Sequence, residues 1–528
     1  MHFCGPVLGI EGTAWNLSAA VFDDSGLRAM YSRPYQPLKG GIHPREAAQH
    51  HASEMSTVIS RVMQDYGSPG DISGIAFSIG PGLGPCLRTV ATAARSLALV
   101  YNVPLVGVNH CVAHIEIGRF ATGCDDPITL YASGANTQVI GYLNSRYRIF
   151  GETLDIGIGN ALDKFARSKG LPHPGGPAIE SLAGKGSYFD LPYTVKGMDL
   201  AFSGLVSAAK ESRRPIEDVC HSLQETAFAM CVEVTERALA HSGKDEVLLV
   251  GGVGANARLV GMLQAMAEDR GAAFYIPERQ FLGDNGGMIA YTGKIMLEHG
   301  ISTPVPRSHI NPSFRSDQVD VKWRTNPPEI NPFVTKDVVM TAIGAEAVVS
   351  IGEKKVIKTR CNKNYRVGPL DRRLICERTR SEARLIALAR KAGVPTPVIS
   401  DVTENTLVME RIPGPMLKEV LTPGLVRQAG AIVGRLHTAG IIHGDLTTSN
   451  FLVRNNRCIL IDFGLSHVSS EVEPRGVDIH VFFQTLESTV ENHEELRSWF
   501  IRGYESEFQE AGEVLLREKE ILGRGRYL

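Results

Sequence analysis

Apolar and polar positions alternate in two distinct programmes along the chain. In the first, "PVLGIEGTAWNLSAAVFDDSG" reads as two strands around a Gly/Thr/Asn turn and ends in the turn "DDSG". "HPREAAQHHASEMSTVISRVMQDYG" has the spacing of a long helix, with Pro44 near its start and Gly67 at its end. "ISGIAFSIGPG" is an apolar strand running into a glycine-rich loop, and "RTVATAARSLALVYN" is helical. "PITLYASGANTQVIGYLNSRYRIFG" repeats the hairpin logic of the N-terminus, and "EVLLVGGVGANARL" is an apolar strand that breaks at Gly251-Gly252 into a helix. Two hairpins, each opening a half, predict an internally duplicated α/β fold.

Near residue 312 the pattern changes. "NPSFRSDQVDVKWRTNPPEINPF" holds four prolines and little helical periodicity, and reads as a linker tethered to one of the domains. After about residue 334 strands come first and helices follow. The predicted domains are therefore 1–325 and 326–528, within the two to four that roughly 100–200 residues per domain allows for 528 residues.

Composition adds exclusions. Charged residues make up 21% and hydrophobic residues 43%, an ordinary globular balance, and a net charge of −2 gives no global attraction to nucleic acid. Nine cysteines without a C-x-x-C pair suit reduced thiols better than a disulfide framework. The N-terminus lacks the pattern of a signal peptide, and no apolar run approaches the roughly 20 residues of a membrane span, so a soluble, cytoplasmic protein without membrane partners is expected.

The candidate chemistry starts with "GVNHCVAHIEIG", where His110 and His114 stand four apart. On a helix they share one face and form half of a metal site. In H-E-x-x-H proteases the residue after the first His is the general base; here it is Cys111. Asp284 in "FLGDNGGMIA" offers a third ligand, or else caps the helix beginning at Gly286. Two histidines and a carboxylate suit iron, with zinc as the alternative. Two glycine-rich turns, "SGAN" (Ser133 to Asn136) and "GGVGAN" (Gly251 to Asn256), are of the kind that lets backbone N–H groups approach a phosphate. As a pair they resemble the phosphate and adenosine turns of the actin-like (ASKHA) ATPase superfamily.

The resemblance becomes specific through "LGIEGTAW", "GIHPREAAQHH", "NHCVAHIEIG", "YASGANTQ", "GNALDKFAR", "GGPAIE", "GGVGANARL" and "DNGGMIAYTG", which occur in that order. Over roughly residues 5–315 the chain resembles the tRNA threonylcarbamoyl-adenosine transferases of the archaeal and eukaryotic branch. The resemblance implies a duplicated actin-like fold and a transition metal held by His110, His114 and Asp284, with Tyr131 beside it. It implies that Tyr131, Ala132, Ser133, Gly134 and Ala135 line the phosphate end of threonylcarbamoyl-adenylate. Asp163 and Glu180 would take the ribose with Gly176 packing close by, Asn256 would contact the adenylate, and Glu11 would face the transferred group. The partners implied are tRNA and the other subunits of the KEOPS complex.

"IIHGDLTTSNFLV" followed by "CILIDFGLS" carries a different set. Asp445 and Asn450 match the D-x-x-x-x-N of a kinase catalytic loop, and Asp462 opens a D-F-G. Upstream, Lys358 in "KVIKTR" would hold ATP phosphates and pair with Glu382, with Glu377 as the other candidate. The glycine-rich loop shrinks to "AIGAEAVV", where Gly344 and Glu346 are the candidates for ATP and magnesium; the Arg of H-R-D is Gly444, and no A-P-E follows. Residues 335–528 resemble the small atypical serine/threonine kinase of KEOPS, a two-lobed α+β domain. The resemblance favours ATPase or narrow kinase activity, and a C-terminal tail with Arg524 and Arg526 directed toward tRNA. The competing readings are a metalloprotease with a regulatory kinase domain, against which the absent Glu counts, and a signalling scaffold.

Overall fold

The computed structural model describes residues 5–37, 41–143, 145–324 and 341–523. The chain forms two compact units, the first built from residues before about 330 and the second from those after. The expected changeover at 325–326, like Arg524 and Arg526, lies outside the described residues.

The first unit contains the same five-stranded sheet twice. In the first copy β1 (Val7–Glu11) pairs antiparallel with β2 (Asn16–Asp23), and β2 with β3 (Gly26–Pro34). On its other edge β1 runs parallel to β4 (Gly74–Gly80), and β4 parallel to β5 (Leu105–Asn109). The second copy repeats this order with β6 (Ile128–Ala132), β7 (Thr137–Leu143) and β8 (Arg146–Glu152), followed by the parallel strands Glu246–Val250 and Ala273–Tyr275. The parallel strands are covered on both faces, which is why "VLGIE" and "ITLYA" are buried along their whole length.

Two helices connect strands of the first sheet, α1 (Pro44–Tyr66) and α2 (Gly84–Tyr101), and α3 (His110–Thr122) leads from it to the second. α1 starts with proline in its first turn and ends at Gly67, whose left-handed φ of 81° lets its N–H reach Met63 O. Val58 and Val62 of α1 and Val90 and Ala94 of α2 enclose Ile75 and Phe77 of β4 in one apolar core.

A further helix, Gly286–Glu298, lies against β1 and β2 at backbone contact. A Cβ on Gly9 would sit 2.2 Å from Ala290 N, and one on Gly286 2.4 Å from the Ala19 carbonyl carbon. Only hydrogen at both positions allows helix and sheet to approach this closely.

The proline-rich stretch beginning near residue 311 does not start as a free linker. Asn311 N donates to Ile79 O at 2.8 Å, and Asn109 Nδ2 donates to Phe314 O at 3.0 Å. Trp323 Nε1 donates to Glu116 Oε1 at 2.6 Å, and Val319 and Val321 are buried. The Arg324 guanidinium lies 4.0 Å from the centre of the Tyr142 ring, a cation–π contact. Residues 311–324 thus belong to the first unit.

The second unit opens with a five-stranded antiparallel sheet, in the spatial order Thr341–Ile343, Ala347–Ile351, Lys355–Arg360, Thr406–Glu410, Ile399–Val402. The helix Gly368–Lys391 follows the third of these strands in sequence. The rest is mainly helical, around a core containing Leu436, Phe451, Phe482, Phe500 and Tyr504. This is the two-lobed α+β arrangement expected from the sequence.

The close helix–sheet packing makes a prediction. Gly9→Ala should destabilise the first unit by about 1–3 kcal/mol through overpacking. Gly261→Ala, in a helix with open space around the added methyl, should be neutral or stabilising by about 0.5–1 kcal/mol. Thermal unfolding of the two variants checks both; equal melting points would mean that the helix can move aside.

Candidate functional site

His110 is the first residue of α3, and Asn109 before it caps the helix, its Oδ1 accepting from Val112 N at 3.1 Å. With the helix started there, His110 and His114 fall one above the other, their ring centroids 4.9 Å apart. Asp284 arrives from the other side of the sequence, just before the helix Gly286–Glu298. The two readings of Asp284 separate here: Asn285 caps that helix, with its Oδ1 accepting from Met288 N at 2.9 Å, and Asp284 does not. Asn16 Nδ2 holds the Asp284 backbone carbonyl at 2.7 Å.

The freed carboxylate meets both imidazoles. Asp284 Oδ1 lies 3.5 Å from His110 Nε2 and 3.3 Å from His114 Nε2. Among the described residues these three form a group able to hold a metal, with ligand atoms within 4.8 Å of one another. The outer nitrogen of His110 is held by Glu11, whose Oε2 is 3.1 Å from Nδ1. A carboxylate on the outer nitrogen is the usual partner of a metal-binding histidine, because it fixes the tautomer that presents the other nitrogen's lone pair. The donor chemistry, the burial and this support fit a transition metal.

Burial alone would lower the pKa of His110, but Glu11, Tyr131 and Asp284 outweigh it and hold the pKa well above the ordinary value. Burial dominates at His114, which is pushed down. Burial would raise the Asp284 carboxyl, but the two histidines hold it far below the carboxylate range. Tyr131 is buried, its ring centroid 5.1 Å from that of His114, and burial pushes its hydroxyl up. Burial also raises the Cys111 thiol to about 11, so it stays protonated near neutral pH.

The two glycine-rich turns adjoin this group. Parallel pairing sets Val250 opposite Tyr131, so β6 and the strand Glu246–Val250 end side by side. Gly251, at φ 95°, lies against Ala132; a Cβ there would be 2.4 Å from Ala132 O. Ser133 N closes its turn on Asn136 O at 2.9 Å, and Gly134 and Ala135 form the exposed tip. The Ser133 and Gly134 carbonyls take the N–H groups of Gly159 and Asn160.

The remaining expected contacts of this site are already engaged within the protein. Asp163 Oδ1 accepts from Gly175 N at 2.7 Å, and Glu180 Oε1 from Ala257 N at 2.8 Å. Asn256 caps the helix Ala257–Arg270 and donates to Gln224 Oε1 at 3.0 Å. A Cβ on Gly176 would meet nothing within 4 Å, so the packing there is open. Glu11, expected to face a transferred group, instead divides its oxygens between His110 and Thr13.

In the second unit Lys358 Nζ stands 2.8 Å from Glu382 Oε1 and 2.6 Å from Asp462 Oδ1. Asp462 holds its carboxyl down to about 2, chiefly through the Lys358 charge; burial would lower the ammonium's pKa, but Asp462 and Glu382 raise it. Asn450 Nδ2 donates to Asp445 Oδ2 at 3.1 Å and to Asp445 O at 2.8 Å. Gly344 lies at the turn before the strand Ala347–Ile351, while Glu346 pairs with Arg360 and Arg378. Glu377 is exposed and takes no part.

The departure at Gly444 has a backbone reason. Gly444 sits at φ 80°, and a Cβ would be 2.5 Å from Leu465 O, so arginine would be strained there. Asp478 anchors the loop instead. It accepts from His443 N at 2.6 Å and Gly444 N at 2.8 Å, and His437 Nε2 is 3.3 Å away.

Residues 28–291 match the family described as tRNA N6-adenosine threonylcarbamoyltransferase, and residues 352–475 match the RIO domain. A probable bifunctional tRNA threonylcarbamoyladenosine biosynthesis protein of Methanoculleus marisnigri is 69% identical, over 99% of this chain and 98% of that protein. The protein so described in Methanospirillum hungatei is 63% identical over 99% of each, and that of Halobacterium salinarum 49% over 99% and 98%. The chain belongs to this bifunctional family.

Membership joins a transferase unit to a RIO kinase-type unit and implies metal and ATP use in general. The metalloprotease alternative finds no support: the relatives are tRNA-modification proteins, and the position of the hydrolytic base holds the protonated thiol of Cys111. Among the described residues no helix is long and apolar enough to cross a membrane.

Asn109, Asn285 and Asp478 stand outside the residues expected from sequence. Each Asn directly precedes a helix, and that adjacency was the available signal. Asp478 carries no local signal, since its donors His443 and Gly444 lie 35 and 34 residues away in sequence.

Asp478→Ala should leave buried N–H donors unpaired and cost about 2–4 kcal/mol. Amide exchange at His443 and Gly444 should quicken, while Asp478→Asn, which keeps one acceptor, should fall between. Wild-type exchange in the alanine variant would rule out the anchor.

Proposed function

We propose that the first unit transfers a threonylcarbamoyl group from threonylcarbamoyl-adenylate to the adenosine next to the anticodon of tRNAs reading ANN codons. The observation that carries this reading is the convergence of His110 Nε2, His114 Nε2 and Asp284 Oδ1 beside two abutting glycine-rich turns. His110, His114 and Asp284 would hold the metal, with Tyr131 beside it; iron suits this donor set, with zinc as the alternative. When bound, such an ion supplies Lewis acidity for a carbonyl or phosphate oxygen.

The chain's own residues orient the rest. Tyr131, Ala132, Ser133, Gly134 and Ala135 offer the edge along which an acyl phosphate would lie. Asp163, Glu180, Gly176 and Asn256 border the side on which a nucleoside would sit. The adenosine amine attacks the carbamoyl carbon, the bond from that carbon to the phosphate oxygen breaks, AMP leaves, and the amine gives one proton to solvent. The nucleophile belongs to the tRNA, so no protein serine or cysteine is required, which accords with the protonated Cys111.

In the second unit Lys358 and Glu382 would position ATP, Asn450 and Asp462 would hold magnesium, and Asp445 would act as base. ATPase or narrow kinase activity in support of the transferase, together with other KEOPS subunits in the cytoplasm, completes the proposal.

The test is metal content with nucleoside analysis. The double variant His110→Ala/His114→Ala should lose stoichiometric metal and form no modified adenosine from threonylcarbamoyl-adenylate, tRNA and partner subunits. Retained metal would refute the ligand set. Wild-type protein that binds metal but forms no modified nucleoside would refute the transferase reading.

A separate expectation concerns the second unit. Asp445→Ala and Asp462→Asn should abolish ATP turnover and, if turnover resets the complex, permit only about one round of modification. Multiple rounds in a variant without ATP turnover would exclude resetting.

A further inference from the structure

Lys358 and Arg360 stand two apart on the strand Lys355–Arg360, so they share one face, and both are buried. They divide one carboxylate between them. Lys358 Nζ takes Glu382 Oε1 at 2.8 Å, and Arg360 Nη2 takes Glu382 Oε2 at 2.7 Å. The other arm of Arg360 reaches the turn after Gly344: Nη1 lies 2.6 Å from Glu346 Oε2. Arg378, one helical turn before Glu382, takes Glu346 Oε1 at 3.2 Å, and Lys363 Nζ donates to Ala345 O at 2.5 Å. The D-F-G turn lies under the same group: a Cβ on Gly464 would be 3.2 Å from Lys358 Nζ and 3.7 Å from Arg360 Nη2.

A kinase nucleotide loop ordinarily approaches phosphate through glycines, whose N–H groups are unobstructed. Here "AIGAEAVV" has one glycine, and the loop is fixed from below by side chains. Arginine suits that role because its planar fork addresses two carboxylates in different directions while staying charged, which a lysine ammonium cannot do equally well.

We propose that Arg360 is a positioning residue for ATP: a strut that fixes the Gly344–Glu346 loop to Glu382, with Glu346 serving as its anchor and not as a magnesium ligand. This rests on the reading of the second unit as an ATP-using domain. The strut sets the height of the loop above Lys358 and Asp462, so its loss should be felt first in nucleotide affinity.

The experiment uses the full chain, with MgATP binding by calorimetry and steady-state ATP turnover. Arg360→Met should weaken MgATP binding and raise KM by about tenfold, with kcat changed far less, the size expected for losing a charged hydrogen bond. Glu346→Gln should raise KM by about threefold and leave magnesium dependence unchanged. The double variant should lose less than the sum of the two single variants, because both remove the Arg360–Glu346 connection while Glu346→Gln also weakens the Arg378 pair. Arg360→Lys, which can hold one carboxylate at a time, should lie between.

Wild-type affinity in Arg360→Met, or additive losses in the double variant, overturns the strut. A shifted magnesium dependence in Glu346→Gln overturns the anchor assignment. Where Arg360→Met does not fold, Glu346→Gln carries the test, since Arg360 keeps Glu382; unchanged affinity there overturns the proposal. Binding without turnover in the wild type removes the kinase reading and leaves the strut to the affinity data. Absence of MgATP binding by the wild type overturns both.

Discussion

The carboxylate of Asp284 meets two imidazoles 170 and more residues earlier in the chain because a helix touches a sheet with nothing between their backbones. Gly9 and Gly286 remove the two Cβ atoms that would hold them apart. If the helix Gly286–Glu298 stood off by the width of a methyl group, Asp284 would withdraw from His110 and His114 and the three donors would no longer converge. Asn285 and Asn109 then do the same local work at the two helix starts. Each caps its own helix, and each adjoins a donor, so the donor's backbone is fixed by the cap. Asp284 is free to face the histidines because its neighbour satisfies the helix.

How much of this could be read from the sequence depends on the range of the interaction. The His110–His114 pair follows from helical periodicity alone, and the duplicated sheet follows from two hairpins with similar flanks. Asp284 could be nominated but not decided, since the same residue type serves as ligand or cap, and only the structure shows Asn285 in the capping role. The resemblance turns Glu11 toward the transferred group, whereas its hold on His110 bridges 99 residues and leaves no local trace. Residues 311–324 read as part of a tethered linker because they lack helical or strand periodicity and run into the prolines after residue 326. Their docking depends on single long-range contacts, Trp323 to Glu116 and Arg324 over Tyr142, which no window of sequence reports.

The kinase-type unit shows the same division. Lys358, Asp445, Asn450 and Asp462 are visible because their motif spacing is local. Arg360 is equally local, two residues from Lys358 on the same strand face, yet it was overlooked because the family motif directs attention to the lysine. Gly444 looked like a defect in H-R-D. In the structure it is a backbone requirement, at φ 80° and pressed against Leu465, with Asp478 holding the loop from a distant helix.

The two units therefore secure their reactive groups by different physics. In the first, caps and backbone contacts fix the backbones of the donors, while the donor atoms face one another, Asp284 Oδ1 lying 3.3 Å from His114 Nε2. In the second, charges alternate from Glu346 through Arg360, Glu382 and Lys358 to Asp462, each link within 2.6–2.8 Å. A nucleotide entering such a chain must take Lys358 away from a carboxylate, and a magnesium ion must take Asp462 away from Lys358. Binding then redistributes the ion pairs, and the central links cost most to break, because Arg360, Glu382 and Lys358 are buried whereas Asp462 is exposed. Both sites therefore exchange internal contacts for contacts to a ligand; in the second, the exchanged ion pairs are also the ones that hold the site in place.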